Sequence, residues 1–368
     1  MILNWRDAWH PQSGGAELVT LRVAQGLANR GWAVEWFSGE YPGGEPREER
    51  DGIVFCRGGT QSTVHVRALA EYRRRSAEFD VVVDEINTIP FYAPLYARAP
   101  VVAFFHQLAR EVWRYERGGI VGKLGYRLER HYLRPYRRTP LITVSHSSAE
   151  SLRAIGLRGE ITVIPESVDE PAVQDPRAVL AARAERGARD VVVLGRVTPS
   201  KRVEESIIAA RLLVDLGWEG RLFIVGAGSR GYERLLERLS EALGIGHRVV
   251  LTGRVSDAVR RENLQRASVL WMTSVREGWG LAVTEAARNA TPAIAYNVPG
   301  LRDSVVDGRT GRIVPSSPLA LARATHALLL DRGLCDRMSL AAWSHSQTMD
   351  WDATADAFEG ALERVIPG

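Results

Sequence analysis

The stretch Ser274-Val275-Arg276-Glu277-Gly278-Trp279-Gly280-Leu281-Ala282-Val283-Thr284-Glu285-Ala286 follows the apolar run Val269–Met272 and leads into a helical pattern. A buried strand that ends in a glycine-rich turn and re-enters a helix is the repeating step of a parallel α/β sheet. Gly278 and Gly280 let the backbone come close to a ligand, and the helix start offers free N–H groups and positive dipole to an anion. Glu277 and Glu285, on either side of that turn, can reach hydroxyls at opposite ends of a bound molecule. A glycine-rich turn with a capping glutamate is the plainer alternative, but here two carboxylates, two glycines and the strand-helix context coincide.

The same step recurs in both directions along the chain. Apolar runs at 34–37, 81–83, 101–105, 141–144 and 161–164 read as strands of a first half. Runs at 191–194, 222–225, 249–251, 269–272 and 293–295 read as strands of a second half. Amphipathic patterns at 16–29, 62–75, 147–154, 202–216, 231–243, 257–266 and 284–289 lie between them. Near-continuous Val/Ile/Leu strands alternating with helices mean parallel sheets covered on both faces. Residues 165–176, with Pro171 and Pro176 and no apolar periodicity, read as the hinge. The expectation is a domain over 1–168, a second over 169–345, and a last helical segment, 346–368, that crosses back to the first. Ligands of such sheets bind beyond the carboxyl ends of the strands, so two of them would face each other across a cleft.

A length of 368 residues is more than one core usually serves. Hydrophobic content of 45% and charged content of 25% are globular values and exclude a disordered or fibrous chain. The formal charge of +4 is too small and too dispersed to call for nucleic acid. Lys123 and Lys201 are the only lysines among 48 basic residues, so each invites a reason. Cys56 and Cys335 build neither a disulfide framework nor a zinc site. No signal-peptide pattern opens the chain, and no apolar run approaches the roughly 20 residues that span a bilayer. A cytoplasmic protein is the expectation.

Three further motifs carry charge or glycine at strand ends. Gly195-Arg196 closes the strand 191–194, and Lys201 follows within reach, so Arg196 and Lys201 can converge on one anion. Gly14-Gly15, before Ala16-Glu17, permit positive φ and close approach at another helix start; an ordinary turn capped by Ser13 fits equally well. His106 follows the run Val101–Phe105, which places it at a strand's carboxyl end, where a structural histidine is the plainer reading. The run Gly226-Ala227-Gly228-Ser229-Arg230-Gly231 satisfies a dinucleotide fingerprint in letters. The next strand, however, ends Leu251-Thr252-Gly253, without the acid that would take a ribose. Residues 110–138 interleave basic side chains with Trp113, Tyr115, Tyr126, Tyr132 and Tyr136. Such a helix can lie on anionic lipid or simply present a solvated face.

Taken together, these residues resemble retaining glycosyltransferase family 4, whose fold is GT-B: two Rossmann-like α/β domains. The resemblance spans nearly the whole chain. It rests on Gly14 to Glu17, His106, Thr143-Val144-Ser145 before a helix, Val163-Ile164-Pro165 with Val168-Asp169, Gly195-Arg196 with Lys201, Val225 to Gly228, and Glu277 through Glu285. It implies that the second domain binds a nucleotide-sugar donor and the first an acceptor. Arg196 and Lys201 would neutralise the diphosphate, Glu285 would hold the ribose and Glu277 the sugar. Gly15 would approach from the first domain and His106 would sit beside the reacting carbon. Gly14, Gly195, Gly226, Arg254, Val255, Gly278, Trp279, Gly280 and Leu281 would complete the donor site. The resemblance implies no metal and no cofactor, a UDP- or GDP-sugar as co-substrate, and a glycan or lipid-linked acceptor. Residues 110–138 would add peripheral contact with an anionic membrane.

Two departures stand out. Glu166-Ser167 replaces the Asn-Gly common after the hinge proline, and Trp279 stands where Phe or Tyr is usual. Rival readings are a GT-B epimerase or phosphorylase and a non-catalytic sugar-nucleotide binding module. Loss of any one of Arg196, Lys201, Glu277 or Glu285 would have favoured the last of these.

Overall fold

The computed structural model describes residues 1–187 and 189–367. They form two compact α/β units, each with its own parallel sheet and core.

The first unit comprises Met1–Arg110, Leu124–Ser167 and Asp350–Gly368. Its strands are β1 (Ile2–Leu3), β2 (Val34–Ser38), β3 (Arg47–Arg50), β4 (Ile53–Arg57), β5 (Val82–Glu85), β6 (Val101–Phe105), β7 (Leu141–Thr143) and β8 (Ile161–Val163). They lie in the order β3-β4-β2-β1-β5-β6-β7-β8. All neighbours are parallel except β3, which runs antiparallel to β4. The sheet centre is apolar on both faces: Leu3, Phe104 and Phe105 are fully buried. The final helix, Trp351–Glu363, packs on the helix Gly15–Asn29. Glycine at 26 permits this, since a Cβ there would stand 2.5 Å from that of Ala355. Trp32 Nε1 donates to Glu359 at 2.7 Å, and Phe358 meets Phe104 edge-on at 5.3 Å.

The second unit comprises Glu111–Lys123 and Val168–Met349. Its strands are β9 (Val191–Leu194), β10 (Leu222–Val225), β11 (Val249–Gly253), β12 (Val269–Met272), β13 (Ala293–Tyr296) and β14 (Gly311–Val314). All are parallel, in the order β11-β10-β9-β12-β13-β14. The helix Val203–Asp215 buries Ile207, Ala210 and Leu213 against this sheet.

Two differences from the sequence reading concern organisation. Residues 1–168 do not form one block: Glu111–Lys123 packs within the second unit. Residues 346–349 also stay with the second unit, where Arg288 donates to the Met349 carbonyl at 2.9 Å. The hairpin β3–β4 has no counterpart in the apolar pattern because β3 reads Arg-Glu-Glu-Arg and is largely exposed. Asp51 and Gly52, both at positive φ, make the tight turn between its strands.

Candidate functional site

In the second unit the carboxyl ends of β9 to β12 lead directly into the residues singled out above. Gly195 N–H donates to Val225 O at 3.0 Å, and Gly226 N–H donates to Gly253 O at 3.1 Å. These bonds draw three loop starts together. A Cβ on Gly226, at φ 137°, would lie 1.9 Å from Gly195 O, so only glycine fits. This close packing also explains two of the three fingerprint-like glycines, Gly226 and Gly228: a Cβ on Gly228 would lie 2.1 Å from Val197 O, while one on Gly231 would meet nothing.

Beyond Gly195 the Arg196 guanidinium is exposed, and among the described residues nothing pairs with it. The same holds for Arg254, which follows β11 and precedes Val255. Lys201 ends a 3-10 turn, Pro199–Lys201, that is anchored by its carbonyls. Val275 N–H donates to Ser200 O at 2.9 Å and Thr273 Oγ1 to Lys201 O at 2.8 Å. Arg196 and Lys201 therefore line one recess with Gly195, Thr273 and Ser274. The Lys201 ammonium is hydrogen bonded to Glu277, whose carboxylate also accepts from Ser274 Oγ at 2.5 Å. Cation and carboxylate meet as one unit rather than standing apart.

The turn after Glu277 is fixed from behind. A Cβ on Gly300 would come 2.4 Å from Glu277 O, which keeps that strand end flush with the next loop. Gly280, at φ 100°, caps the helix Leu281–Arg288. The helix starts three residues before the periodicity indicates, because the glycine supplies a conformation that an apolar pattern does not record. Trp279 folds back, its Nε1 donating to Thr284 Oγ1 at 3.0 Å. Glu285 follows in the second turn with its side chain 21% exposed, and Arg260 Nε lies 3.6 Å from it. Burial pushes the Glu285 carboxyl up to about 7. Arg260 opposes the rise, and Glu170, Asp257 and Asp169 add to it. Arg260 is shared: buried Glu170 pairs with it and with Arg261, each at 2.7 Å.

Two side chains that the motifs do not contain complete this corner. Glu116 accepts from Ser200 Oγ at 2.5 Å and from Ser200 N–H at 3.3 Å, beside Lys201. Glu111 pairs with Arg276 at 2.9 Å, beside Glu277. Both stand on the helix Arg110–Glu116, in the segment that packs with the second unit.

In the first unit, the paired glycines behave differently from the expectation of positive φ. Gly14 is extended at φ −150° and is itself the N-cap, a role that Ser13 does not take. Neither Gly14 nor Gly15 has positive φ. Gly14 N–H donates to the Glu17 carboxylate at 2.7 Å, and Arg6 pairs with the same group at 2.7 Å. Burial raises the Glu17 carboxyl above its ordinary range, with Arg6 opposing. Space rather than backbone freedom is what Gly14 contributes: the nearest atom to a Cβ there is 3.8 Å away.

His106 follows β6 and is buried, with both ring nitrogens facing carboxylates. Nε2 is 3.2 Å from Glu85 and Nδ1 is 3.7 Å from Glu166. Burial alone would favour the neutral ring, but the two acids outweigh it and carry the imidazole up to about 9. Glu85 was invisible in the sequence as a site residue because it ends an ordinary apolar strand. Glu166 appeared only as a departure at the hinge.

Residues 110–138 form the helices Arg110–Glu116 and Gly119–Tyr132, and the latter exposes Ile120, Val121, Leu124 and Leu128. Among the described residues no helix is long and apolar enough to cross a membrane. Among them, too, no group of His, Cys, Asp and Glu is gathered as a metal site.

The chain matches two family models. Residues 13–170 match that of glycosyltransferase family 4, and residues 181–344 match that of the glycosyl transferases group 1. Its relatives include D-inositol 3-phosphate glycosyltransferases. That of Streptomyces avermitilis is 32% identical over 56% of this chain and 48% of its own, and that of Nocardia farcinica is 33% identical over 60% and 51%. The chain thus spans about half the length of these curated relatives. Among solved structures, sucrose-phosphate synthase from Thermosynechococcus elongatus superposes with TM-score 0.80 at 20% identity, covering 99% of this chain and 97% of that one. Anabaena HepE in complex with UDP and glucose superposes with TM-score 0.74 at 19% identity, covering 99% and 98%. These likenesses show the fold.

Proposed function

The chain belongs to the family 4 type of GT-B glycosyltransferases, and on that premise we propose that it transfers a hexose from a nucleoside-diphosphate sugar to a glycan or lipid-linked acceptor. Transfer proceeds with retention and without a metal ion. The observation that carries this reading is the corner of the second unit where Arg196, Lys201 and the start of the helix Leu281–Arg288 lie beside Glu277.

The leaving diphosphate gains negative charge as the glycosidic bond breaks. Arg196, exposed and unengaged among the described residues, and Lys201 supply fixed positive charge to it, and the N–H groups after Gly280 add their dipole. Glu277 holds Lys201 in place and turns its remaining acceptor capacity to the sugar hydroxyls. Glu285, at the edge of the same turn, accepts from the ribose hydroxyls. His106 and Gly14-Gly15, in the first unit, are assigned to the transferred sugar and to the acceptor or phosphate. Retention follows from attack on the face that the diphosphate leaves, with a phosphate oxygen taking the acceptor's proton.

UDP-sugars are the first donors to test, since the HepE structure holds UDP and glucose. A phosphorylated polyol is the first acceptor, since the relatives act on D-inositol 3-phosphate. The exposed apolar residues Ile120, Val121, Leu124 and Leu128, flanked by arginines, suit a lipid-linked acceptor on an anionic membrane. The test is a thermal-shift screen of UDP, GDP and ADP and their sugars. The best donor is then incubated with acceptors in EDTA, and the anomeric configuration of the product is read by NMR. An α-linked product from an α-linked donor is expected. Absence of any nucleotide-dependent shift, or an inverted product, overturns the proposal.

A further inference from the structure

We propose that Glu166, together with Glu85, is a positioning residue that holds the His106 ring as a cation between two carboxylates. This rests on the role proposed for His106 toward the transferred sugar and concerns how the ring is kept charged.

The geometry leaves little alternative. Glu85 Oε1 lies 3.2 Å from Nε2 and Glu166 Oε1 lies 3.7 Å from Nδ1, on opposite edges of one buried ring. A neutral imidazole has one N–H and one lone pair, so either tautomer would aim a lone pair at a carboxylate. The imidazolium alone offers a donor to each side. Burial by itself would discharge the ring, and the pair of acids reverses that preference.

Glu85 and Glu17 are also held by neighbours of their own. Thr20 Oγ1 donates to Glu85 at 2.8 Å and Asn87 Nδ2 at 3.2 Å, which fixes that carboxylate from the helix Gly15–Asn29 and from beyond β5. Glu17, on the same helix, already has Arg6 at 2.7 Å. Phe104, whose ring lies 4.3 Å from that of His106, carries no charge. Glu85 and Glu166 together are what keep the proton on His106.

Glu166 is also where this sequence departs from the Asn-Gly usual in the family. An amide there could bond the ring but could not bind its proton electrostatically. In this chain His106 then acts as a fixed positive charge across neutral pH and not as a base.

The test is histidine-selective NMR on the full chain, without substrate, comparing wild type, Glu166→Gln and an assignment variant, His106→Asn. A His106 midpoint near 9 in the wild type is expected, with a fall of at least about one pH unit in Glu166→Gln. A wild-type ring titrating at or below the ordinary 6.5, or a midpoint unmoved by Glu166→Gln, overturns the proposal. Should Glu166→Gln not fold, Glu166→Asp retracts the charge by one methylene and must give a smaller fall. A second readout is the rate profile: in Glu166→Gln turnover must decline on the alkaline side, and Glu166→Asp must restore part of it. The NMR arm needs no activity, so failure of the glycosyl-transfer reading and failure of this one are seen separately.

Discussion

The two units both gather charge at the carboxyl ends of their strands, and they leave it in opposite states. In the second unit the charge is open: Arg196 and Arg254 are exposed and unengaged among the described residues, and Lys201 has Glu277 alone. In the first unit it is closed: Arg6, Glu17, Glu85, His106 and Glu166 are largely buried and answer one another. An open corner leaves room for a ligand's anion, so its side chains are expected to act on binding and rate. A closed cluster is complete before anything binds, so its side chains act on pH response and stability.

Removing the ammonium of the open corner breaks this comparison most directly. Lys201→Ala should lower turnover by about a hundredfold to a thousandfold, the usual cost of one donor aimed at a developing charge. The melting temperature should hold, because the turn's backbone is tied by Thr273 and Val275 and not by the ammonium. Steady-state kinetics beside calorimetry reads both. Wild-type turnover would remove Lys201 from the mechanism.

The glycines sharpen the same contrast. Gly226→Ala would drive a methyl into Gly195 O at a φ of 137° and should cost about 2–4 kcal/mol of stability, read as a lower urea midpoint. Gly14→Ser meets nothing closer than 3.8 Å, at an extended N-cap that serine favours, and should leave that midpoint in place or raise it slightly. Any loss of turnover in Gly14→Ser would then report a crowded ligand. Unaltered kinetics would show that nothing approaches there.

What the sequence discloses of the fold follows from how each element is stabilised. Strands buried on both faces, such as Val101–Phe105 and Val269–Met272, announce themselves as apolar runs. Arg47–Arg50 is a strand by pairing alone, and its one local sign is the Asp51-Gly52 turn. The site divides in the same way. Arg196, Lys201, Glu277 and Glu285 stand in local strand-turn-helix patterns and can be read there. Glu116 reaches Ser200 across 84 residues of sequence, and Glu85 reaches His106 across 21. A single carboxylate on an ordinary element gives no local signal of such a partner. The paired glycines read as a close-approach site through positive φ, and the backbone there does not adopt it.

Glu285 offers a pH test that separates the open corner from the closed one. Its carboxyl sits near 7 in the free protein, so the ionised form is held at a cost that appears as pH rises from the ordinary 4.5 through about 7. In the proposed role, ribose hydroxyls donate to the ionised form of Glu285 and so favour it. Affinity for a nucleoside-diphosphate sugar, whose phosphates do not titrate here, should rise by up to about tenfold per pH unit between pH 5.5 and 7 and then level off. Glu285→Gln should flatten that rise and bind more weakly above pH 7. Calorimetric titration at several pH values checks it, and an equal rise in the variant would assign the effect elsewhere.

The smallest effect comes from the helix Arg110–Glu116, which borders the open corner without belonging to its motifs. Glu116 satisfies Ser200 N–H and its hydroxyl, and Glu111 holds Arg276, so both stiffen residues next to Lys201 and Glu277. These contacts are partly solvated, and such pairs are worth little in isolation. Glu116→Gln keeps an acceptor for Ser200 while removing a negative charge from beside the proposed diphosphate. Positioning and repulsion then pull in opposite directions: the amide holds the turn less firmly, yet the corner becomes more positive. The retained acceptor makes the positioning loss the lesser term, so the donor KM should fall by about twofold to fivefold with kcat little altered, more clearly at low salt, where charge acts furthest. Glu116→Ala removes the acceptor as well and should reverse the sign. A KM that rises in both variants would mean that the turn, and not the local charge, governs how the donor is held.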